Sequence, residues 1–193
     1  ECFGAGVATF LIMGDTCTRD CRFCGVTSGL PGPLDREEPE QVADAVVQLQ
    51  LKHVVVTSVT RDDLPDGGAA HYVATIQAIR AHAPGVTVEV LVPDFGGDTA
   101  SLDLVLAQVP EVFNHNVETV PRLYDQLRPQ AQYERSLSVL RRAAERGESL
   151  VKTGWMVGLG ETREEVEELL REAAGAGVDL ITIGQYLRPS KRH

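Results

Sequence analysis

Three cysteines near the start of the chain have the spacing of a metal-binding loop. Cys17, Cys21 and Cys24 form a C-x3-C-x2-C pattern. Thiolates are the usual ligands of a cubane [4Fe-4S] cluster, and a loop that supplies only three of the four ligands leaves one iron open to a small molecule. We expect Phe23, directly before the third cysteine, to shield such a cluster from water.

Zinc, a redox-active dithiol and ordinary thiols are the alternatives for this loop. Structural zinc usually takes a fourth Cys or His in a paired spacing, and no second C-x2-C pair follows in the sequence. Cys21 and Cys24 have dithiol spacing without a thioredoxin-like context. An electron-carrying cluster would need a fourth cysteine nearby, and Cys2 is the only other one. The pattern favours a cluster with an open iron, its charge offset by Arg19 and Arg22.

Five further segments rich in polar residues and glycine each follow a predicted strand. They span residues 58–68, 93–97, 114–119, 158–162 and 185–189. In a parallel α/β fold the loops after the strands share one face of the sheet, where ligands bind. We therefore expect these segments and the cysteine loop to form one site.

The elements that must position these loops alternate between strands and helices. The predicted strands span 10–14, 53–59, 86–92, 112–118, 151–158 and 179–185, and the predicted helices 40–50, 69–82, 99–108, 133–146 and 162–174. Thr162 and Glu165 form a capping box at the last helix, which Gly175 and Gly177 are expected to close. Apolar strands without alternation indicate a parallel sheet covered on both faces. The pattern fits an open α/β sheet and an incomplete barrel equally well.

Composition limits the class of protein. The chain has 193 residues, 43% of them hydrophobic, and a net charge of −10 from 18 basic and 28 acidic residues. We expect one domain spanning 1–193 in a cytoplasmic protein. We expect no membrane partner, because no apolar run reaches the ~20 residues of a membrane span. The scattered Lys and Arg argue against nucleic-acid binding. Neither end resembles a complete terminus, so we expect an internal piece of a longer enzyme, and a mitochondrial location only with a leader upstream.

The motifs resemble a known family. C-x3-C-x2-C with an aromatic residue before the third cysteine resembles the radical S-adenosylmethionine (SAM) superfamily. Six segments, in order along the chain, are similar to the lipoyl synthase family within it: ATFLIMGDTCTRDCRFC, TSVTRDDLPDGGA, PDFGG, FNHNVETVPRLY, GWMVGLGETREEV and TIGQYLRP. The resemblance implies an incomplete (β/α)6 barrel of parallel strands.

The resemblance also implies a reaction. In that family the open iron of the cluster binds the amino and carboxylate groups of SAM, and one-electron reduction yields a 5′-deoxyadenosyl radical. The radical removes hydrogen from two carbons of an octanoyl chain, and two sulfur atoms are inserted. The implied partners are octanoylated lipoyl carrier domains or an H-type carrier protein, with flavodoxin or ferredoxin as reductant. The alternatives are a single-cluster radical enzyme acting on another substrate and a non-catalytic iron–sulfur protein.

The resemblance assigns cofactor contacts residue by residue. Beside Phe23 and the cluster cysteines, the segment 58–60 would contact the methionyl amino group, Asn116 and Glu118 the ribose hydroxyls, and Arg128 the methionyl carboxylate. The full set of cofactor-binding residues expected in this way is Phe23, Ser58, Val59, Thr60, Asn116, Glu118, Arg128, Gln185 and Leu187. Structural roles are the alternatives: an edge strand that ends in Ser and Thr, a buried polar pair, and a surface salt bridge.

Cys2 resembles the last cysteine of the family's C-x4-C-x5-C motif, which binds an auxiliary [4Fe-4S] cluster that donates sulfur. The two earlier cysteines of that motif and a C-terminal serine ligand are absent from this sequence. We therefore expect Cys2 alone to be insufficient for a second cluster, and sulfur insertion by this chain to be incomplete.

Other polar residues receive structural interpretations. Asp62, Asp63 and Asp66 do not follow the order of a calcium loop, and Asp66 suits a turn into the second helix. Gly158-x-Gly160 is a weak phosphate signal by itself, and the resemblance makes it a backbone platform under adenine. Lys152 is discounted as a Schiff-base lysine. His53 and His115 are expected to be core or surface histidines.

Overall fold

A six-stranded parallel sheet forms the centre of the molecule. The computed structural model describes residues 6–191 and 193, so Cys2 lies outside the described residues. The sheet strands are β1 (Val7–Ile12), β4 (His53–Ser58), β5 (Thr87–Leu91), β6 (Val112–Asn114), β7 (Leu150–Val157) and β8 (Leu180–Gln185). Two short strands, β2 (Thr16–Cys17) and β3 (Thr27–Ser28), pair with each other across the cysteine loop.

The order of the strands in the sheet distinguishes a barrel from an open doubly wound sheet. The strands lie in the order β1-β4-β5-β6-β7-β8, so spatial order follows chain order. A doubly wound sheet reverses its order at a switch point, whereas right-handed crossovers between successive neighbours place every helix on the same face. The predicted α/β class is confirmed, and the arrangement is that of an incomplete (β/α)6 barrel with β1 and β8 as its open edges.

Six helices connect these strands. They are α1 (Glu38–Gln48), α2 (Ala69–His82), α3 (Thr99–Leu106), α4 (Tyr124–Leu127), α5 (Tyr133–Arg146) and α6 (Arg163–Gly175) among the described residues. Both predicted ends of α2 and α5 are confirmed. The capping box of α6 is also confirmed, with Thr162 accepting from the Glu165 amide. Gly177 adopts φ +81° just after that helix, whereas Gly175 is still its last residue.

Several predicted boundaries were wrong for identifiable reasons. Helix α1 begins two residues earlier than predicted, because Pro39 occupies the first turn, where its missing N–H costs nothing. Helix α3 ends at Leu106, and Arg80 donates to the carbonyls of Gln108 and Val109 beyond it. Strand β1 ends at Ile12 because Met13 adopts φ +67°.

The fourth strand of the main sheet, β6, is much shorter than predicted. Strand β6 ends at Asn114, although alternation suggested a strand to residue 118. Thr153 interrupts the regular pairing by donating its hydroxyl to the His115 carbonyl at 2.8 Å. Glu118 rejoins the sheet as an isolated bridge to Trp155, with φ +67°. The prediction that Asn116 and Glu118 alternate on one face of a strand was therefore wrong.

Candidate active site

The cysteine loop is attached to the ends of neighbouring strands. The Thr18 amide donates to the Thr60 carbonyl at 3.1 Å, and the Thr18 hydroxyl donates to the same oxygen at 3.0 Å. The Arg22 amide donates to the Leu127 carbonyl at 2.8 Å. These bonds join the loop to the segment after β4 and to α4, so the position of the cysteines depends on the barrel.

The three thiols are free, half-buried and close enough to influence one another. Backbone amides donate to two of the sulfurs, from Arg19 to Cys17 at 3.4 Å and from Val26 to Cys24 at 3.5 Å. Burial raises the pKa of the Cys21 thiol; the guanidinium of Arg128, which hydrogen-bonds its sulfur, opposes this shift, and the other two cysteines add to it. Binding of a metal would supply positive charge and so favour the deprotonated thiolate of Cys21.

The three cysteines have the donor chemistry of an iron–sulfur cluster site. Within residues 6–191 and 193, no three His, Cys, Asp or Glu side chains converge as ligands of one ion. Three soft donors with amide hydrogen bonds to sulfur and a neighbouring guanidinium are compatible with a negatively charged cluster.

A cavity of about 170 Å³ lies at the carboxyl ends of the central strands. It is lined by the last residues of β4 and β5 and by residues of the segments after β2, β4, β5, β6 and α4, namely Arg19, Thr57, Ser58, Thr60, Leu91, Val92, Pro93, Asp94, His115, Asn116, Glu118 and Arg128. Five of the predicted cofactor contacts therefore meet in one cavity. The carboxyl ends of parallel strands are where α/β folds bind ligands.

The segment after β4 contributes polar groups to this cavity. Ser58 and Thr60 line it, while Val59 between them is a buried side chain. Because β4 lies between β1 and β5, the edge-strand interpretation of this segment was wrong. The Ser58 hydroxyl accepts from Tyr72, which anchors it from helix α2.

Asn116 and Glu118 reach the cavity from an irregular backbone. Burial raises the pKa of the Glu118 carboxyl, although Arg128 and a hydrogen bond with Asn116 oppose the shift. A non-glycine residue at positive φ is strained, and Glu118 adopts this conformation beside the cavity. Gly154 of β7 permits the arrangement, because a Cβ there would lie 2.9 Å from the Asn116 Oδ1.

Contacts with Tyr124 and Val117 hold the Arg128 side chain at the cavity. Its Nη1 donates to the Tyr124 hydroxyl at 3.1 Å and to the Val117 carbonyl at 3.3 Å, and its guanidinium lies 5.2 Å from the centre of the Tyr124 ring. Its Nε is buried and has no hydrogen-bond partner among the described residues. A buried donor without a partner is costly, so this atom is available to an anionic ligand. The surface salt-bridge interpretation of Arg128 was therefore wrong.

Three ionisable cavity residues, Arg19, Asp94 and His115, were not predicted as cofactor contacts. Arg19 was expected to offset cluster charge, and the structure places its side chain in the cavity wall against Asp62 and Asp94. Asp94 lies in the PDFGG segment, whose position after a strand was the available signal. His115, expected in the core or on the surface, is buried and also lines the cavity.

Besides Val59, three predicted contacts lie outside the cavity lining, namely Phe23, Gln185 and Leu187. Leu187 is 81% exposed. Gln185 is exposed and donates from Nε2 to the Val157 carbonyl at 3.1 Å. Phe23 is half-buried and packs against the hydrophobic core. Their roles toward the cofactor stay predictions.

The remaining polar residues have local partners. Asp66 accepts from the amides of Gly68 and Ala70, which confirms its place in the turn into α2. Glu161 accepts from the amides of Gly158 and Leu159, so its carboxylate occupies the amides that a phosphate would need. Lys152 forms an ion pair with the buried Glu89, 2.8 Å from Nζ to Oε1, which agrees with discounting it as a nucleophile.

Sequence comparison places the chain among known enzymes. The family model of the radical SAM superfamily matches residues 11–173. The lipoyl synthase of Nitratidesulfovibrio vulgaris (Hildenborough) is 56% identical over 193 residues, covering 100% of this chain and 64% of the relative. The lipoyl synthase of Caldanaerobacter subterraneus subsp. tengcongensis is 57% identical, covering 100% of this chain and 68% of the relative. The chain thus spans about two thirds of the length of these curated relatives.

Structural comparison supports the same fold at much lower identity. The hydrogenase maturase HydG superposes with a TM-score of 0.76 at 19% identity, over 93% of this chain and 42% of HydG. Methylornithine synthase (PylB) superposes with a TM-score of 0.70 at 17% identity, over 94% of this chain and 53% of PylB. With the family match and the high identity along the full chain, these findings show that the chain belongs to the radical SAM superfamily and, within it, to the lipoyl synthase family.

Proposed function

We propose that this chain is the catalytic core of a lipoyl synthase, a sulfurtransferase that inserts two sulfur atoms into the octanoyl chain of octanoyl-lysine on a lipoyl carrier domain. The observation that carries the proposal is the 56–57% identity along the whole chain to lipoyl synthases. The cavity at the carboxyl ends of the strands, beside three free thiols, supports it with a site of suitable chemistry.

Cys17, Cys21 and Cys24 would hold the [4Fe-4S] cluster, and the cavity would hold SAM. When bound and reduced, this cluster supplies the electron that cleaves the sulfonium of SAM and yields a carbon radical. Holding the thiolates and excluding water are then the tasks of the chain, because such a radical reacts with any accessible hydrogen.

The cavity residues have complementary chemistry for the parts of SAM. The unpartnered Nε and the positive charge of Arg128 suit the methionyl carboxylate. The hydroxyls of Ser58 and Thr60 suit the amino group, and Asn116 with Glu118 suit the ribose hydroxyls. Together these groups orient the cofactor without covalent attachment.

The partners follow from the proposed reaction. An acyl-lysine carried by a lipoyl domain or an H-type protein is the substrate, and a low-potential flavodoxin or ferredoxin is the reductant. Sulfur insertion further requires an auxiliary cluster, toward which Cys2 would contribute one ligand. Oxygen-sensitive clusters favour a cytoplasmic setting. Among the described residues no helix is long and apolar enough to cross a membrane.

The test is anaerobic iron–sulfur reconstitution followed by single-turnover cofactor cleavage. About four irons per chain and a cubane EPR signal that changes on adding SAM are expected. The reduced protein should form 5′-deoxyadenosine faster with an octanoyl-lysine peptide than with an acetyl-lysine peptide. This readout reports hydrogen abstraction and does not depend on a sulfur donor.

Each alternative has a distinct result. Cofactor cleavage that both peptides stimulate equally would indicate a radical enzyme for another substrate. A cluster whose EPR signal ignores SAM would indicate a non-catalytic iron–sulfur protein. Zinc without iron would exclude the radical chemistry. Replacing Cys17, Cys21 and Cys24 together by Ala supplies the control, which should bind no cluster.

A further inference from the structure

Arg19, in the spacer between Cys17 and Cys21, is a charged side chain that the fold buries. It is 6% exposed. Its Nε donates to Asp62 Oδ2 at 2.8 Å, and its Nη2 donates to Asp62 Oδ1 at 2.9 Å and to Asp94 Oδ1 at 2.6 Å. A guanidinium taken out of water is stable only where charged hydrogen bonds replace its hydration. Two carboxylates from two different strand loops supply them here.

Asp94 also binds groups on the outer side of the sheet, including helix α5. Its carboxylate also accepts from the Gly96 amide at 3.0 Å and from Arg135 Nη1 of helix α5 at 3.4 Å. Burial by itself would raise the pKa of Asp94, but the hydrogen bond and charge of Arg19 lower it to about 2. Asp94 is therefore charged at neutral pH, and it connects the cysteine spacer to α5.

The same loops carry the cavity. Thr60 lines the cavity and lies two residues before Asp62, and both Arg19 and Asp94 are themselves lining residues. The backbone amide of Arg19 donates to Cys17 Sγ at 3.4 Å. The distance between a cysteine ligand and the cavity therefore depends on how firmly Arg19 binds its two carboxylates.

We propose that Arg19, Asp62 and Asp94 form a charged clamp that positions Cys17 against the cofactor cavity and, through its charges, sets the reduction potential of the cluster. The clamp rests on the proposed function, since it assumes a cluster on the three cysteines. Its members are positioning residues, because they act through the loop that carries Cys17.

The cation Arg19 and the anion Asp94 have opposite effects on the reduction potential of the cluster. Reduction adds negative charge to a cluster, so a nearby cation favours the reduced state and a nearby anion disfavours it. Arg19→Gln removes a cation and is expected to lower the midpoint potential. Asp94→Asn removes an anion and is expected to raise it. Both variants loosen the loop, so both are expected to release iron faster.

The experiment measures the midpoint potential of the reconstituted cluster and the rate of iron loss to a chelator. For each variant we expect a change of roughly tenfold in the reduction equilibrium, which is about 59 mV for a one-electron couple. Arg19→Lys keeps the positive charge but loses the paired hydrogen bonds of the guanidinium. The midpoint potential of its cluster should therefore match the wild type, while the cluster loses iron faster. Asp103→Asn, which breaks the half-exposed Arg142–Asp103 pair between α3 and α5, is the matched control and should behave as wild type.

Three results would overturn the clamp. In the first, the midpoint potentials of Arg19→Gln and Asp94→Asn move in the same direction. In the second, both midpoint potentials equal that of the wild type. In the third, these two variants lose iron as slowly as Asp103→Asn does. Failure of the proposed function is recognised separately, because the wild type itself would then lack a cubane signal that responds to SAM. Far-ultraviolet circular dichroism on each variant establishes that the comparison is between folded proteins.

Discussion

At the scale of single residues, His115 shows how burial determines a protonation state. Its Nδ1 lies 2.8 Å from the Val92 carbonyl, which makes Nδ1 the protonated nitrogen, and Nε2 accepts from the Ser136 hydroxyl at 3.0 Å. Burial lowers the pKa of His115 to about 4, although the Val92 carbonyl opposes the shift. The imidazole is therefore neutral in the folded protein at physiological pH.

This shift predicts a pH dependence of stability. The unfolded chain binds a proton near pH 6.5 and the folded chain only near pH 4, so the free energy of unfolding falls as pH drops between these values. The loss should approach about 3 kcal/mol at low pH and fade within about one pH unit above 6.5. Urea unfolding of the wild type and His115→Asn at pH 6.5 and pH 4.5 measures it, and the variant should lose less.

Measurements at pH 7 and pH 8 are the control for His115. The folded state stays neutral there and the unfolded state is mostly neutral, so the difference in stability between the two proteins should be nearly constant. A variant that loses as much stability as the wild type between pH 6.5 and pH 4.5 would contradict the neutral buried imidazole.

At the scale of elements, a buried ionic network joins four neighbouring strands. Glu89 of β5 is 5% exposed and lies 2.8 Å from Lys152 Nζ of β7. The same Oε1 accepts from Asn114 of β6 at 3.1 Å, and the other carboxylate oxygen lies 3.5 Å from His53 Nε2 of β4. Removing one partner of a buried pair leaves a charge without compensation.

We expect Lys152→Met to lower the free energy of unfolding by about 3 kcal/mol. The double variant Lys152→Met with Glu89→Met should recover most of that loss, because neither charge is then buried. Urea unfolding at pH 7 measures both. Arg163→Met, which breaks an exposed pair with Glu167 on α6, is the matched control and should change stability by less than about 0.5 kcal/mol. A Lys152→Met protein as stable as this control would show that the network does not support the sheet.

At the scale of the whole molecule, the cysteine loop is coupled to the barrel. It is hydrogen-bonded to the segment after β4 and to α4, and Arg19 joins it to the loops after β4 and β5. A ligand that binds only the folded chain stabilises all of it by mass action. Loading the cluster should therefore stabilise the complete barrel and not the loop alone.

We expect cluster reconstitution to raise the thermal unfolding midpoint of the protein by several degrees, since about 1 kcal/mol corresponds to 2–4 °C in a chain of this size. Anaerobic circular dichroism at a helical wavelength measures the midpoint. The variant with Cys17, Cys21 and Cys24 replaced by Ala should show no increase under the same treatment. Equal midpoints for loaded and unloaded wild type would mean that the loop opens independently of the core.

Much of this protein follows from local sequence. The helices 69–82 and 133–146, the capping box at Thr162 and the strand–loop alternation depend on short-range periodicity and end signals, which local residues determine. Family membership was also recognisable, because the C-x3-C-x2-C spacing and five further segments lie on consecutive loops in one order.

Tertiary structure alone decided the rest. The strand–helix pattern left an open sheet and an incomplete barrel equally possible, and only the family resemblance implied the barrel; the sequential strand order that distinguishes the two depends on pairing between residues distant in the chain. The early end of β6, the left-handed Glu118 and the close approach of Asn116 to Gly154 come from contacts between neighbouring strands. The partnership of Arg19 with Asp94 joins residues 75 positions apart. Local patterns do not encode such contacts, because they exist only once burial removes water and forces each charge to find a partner.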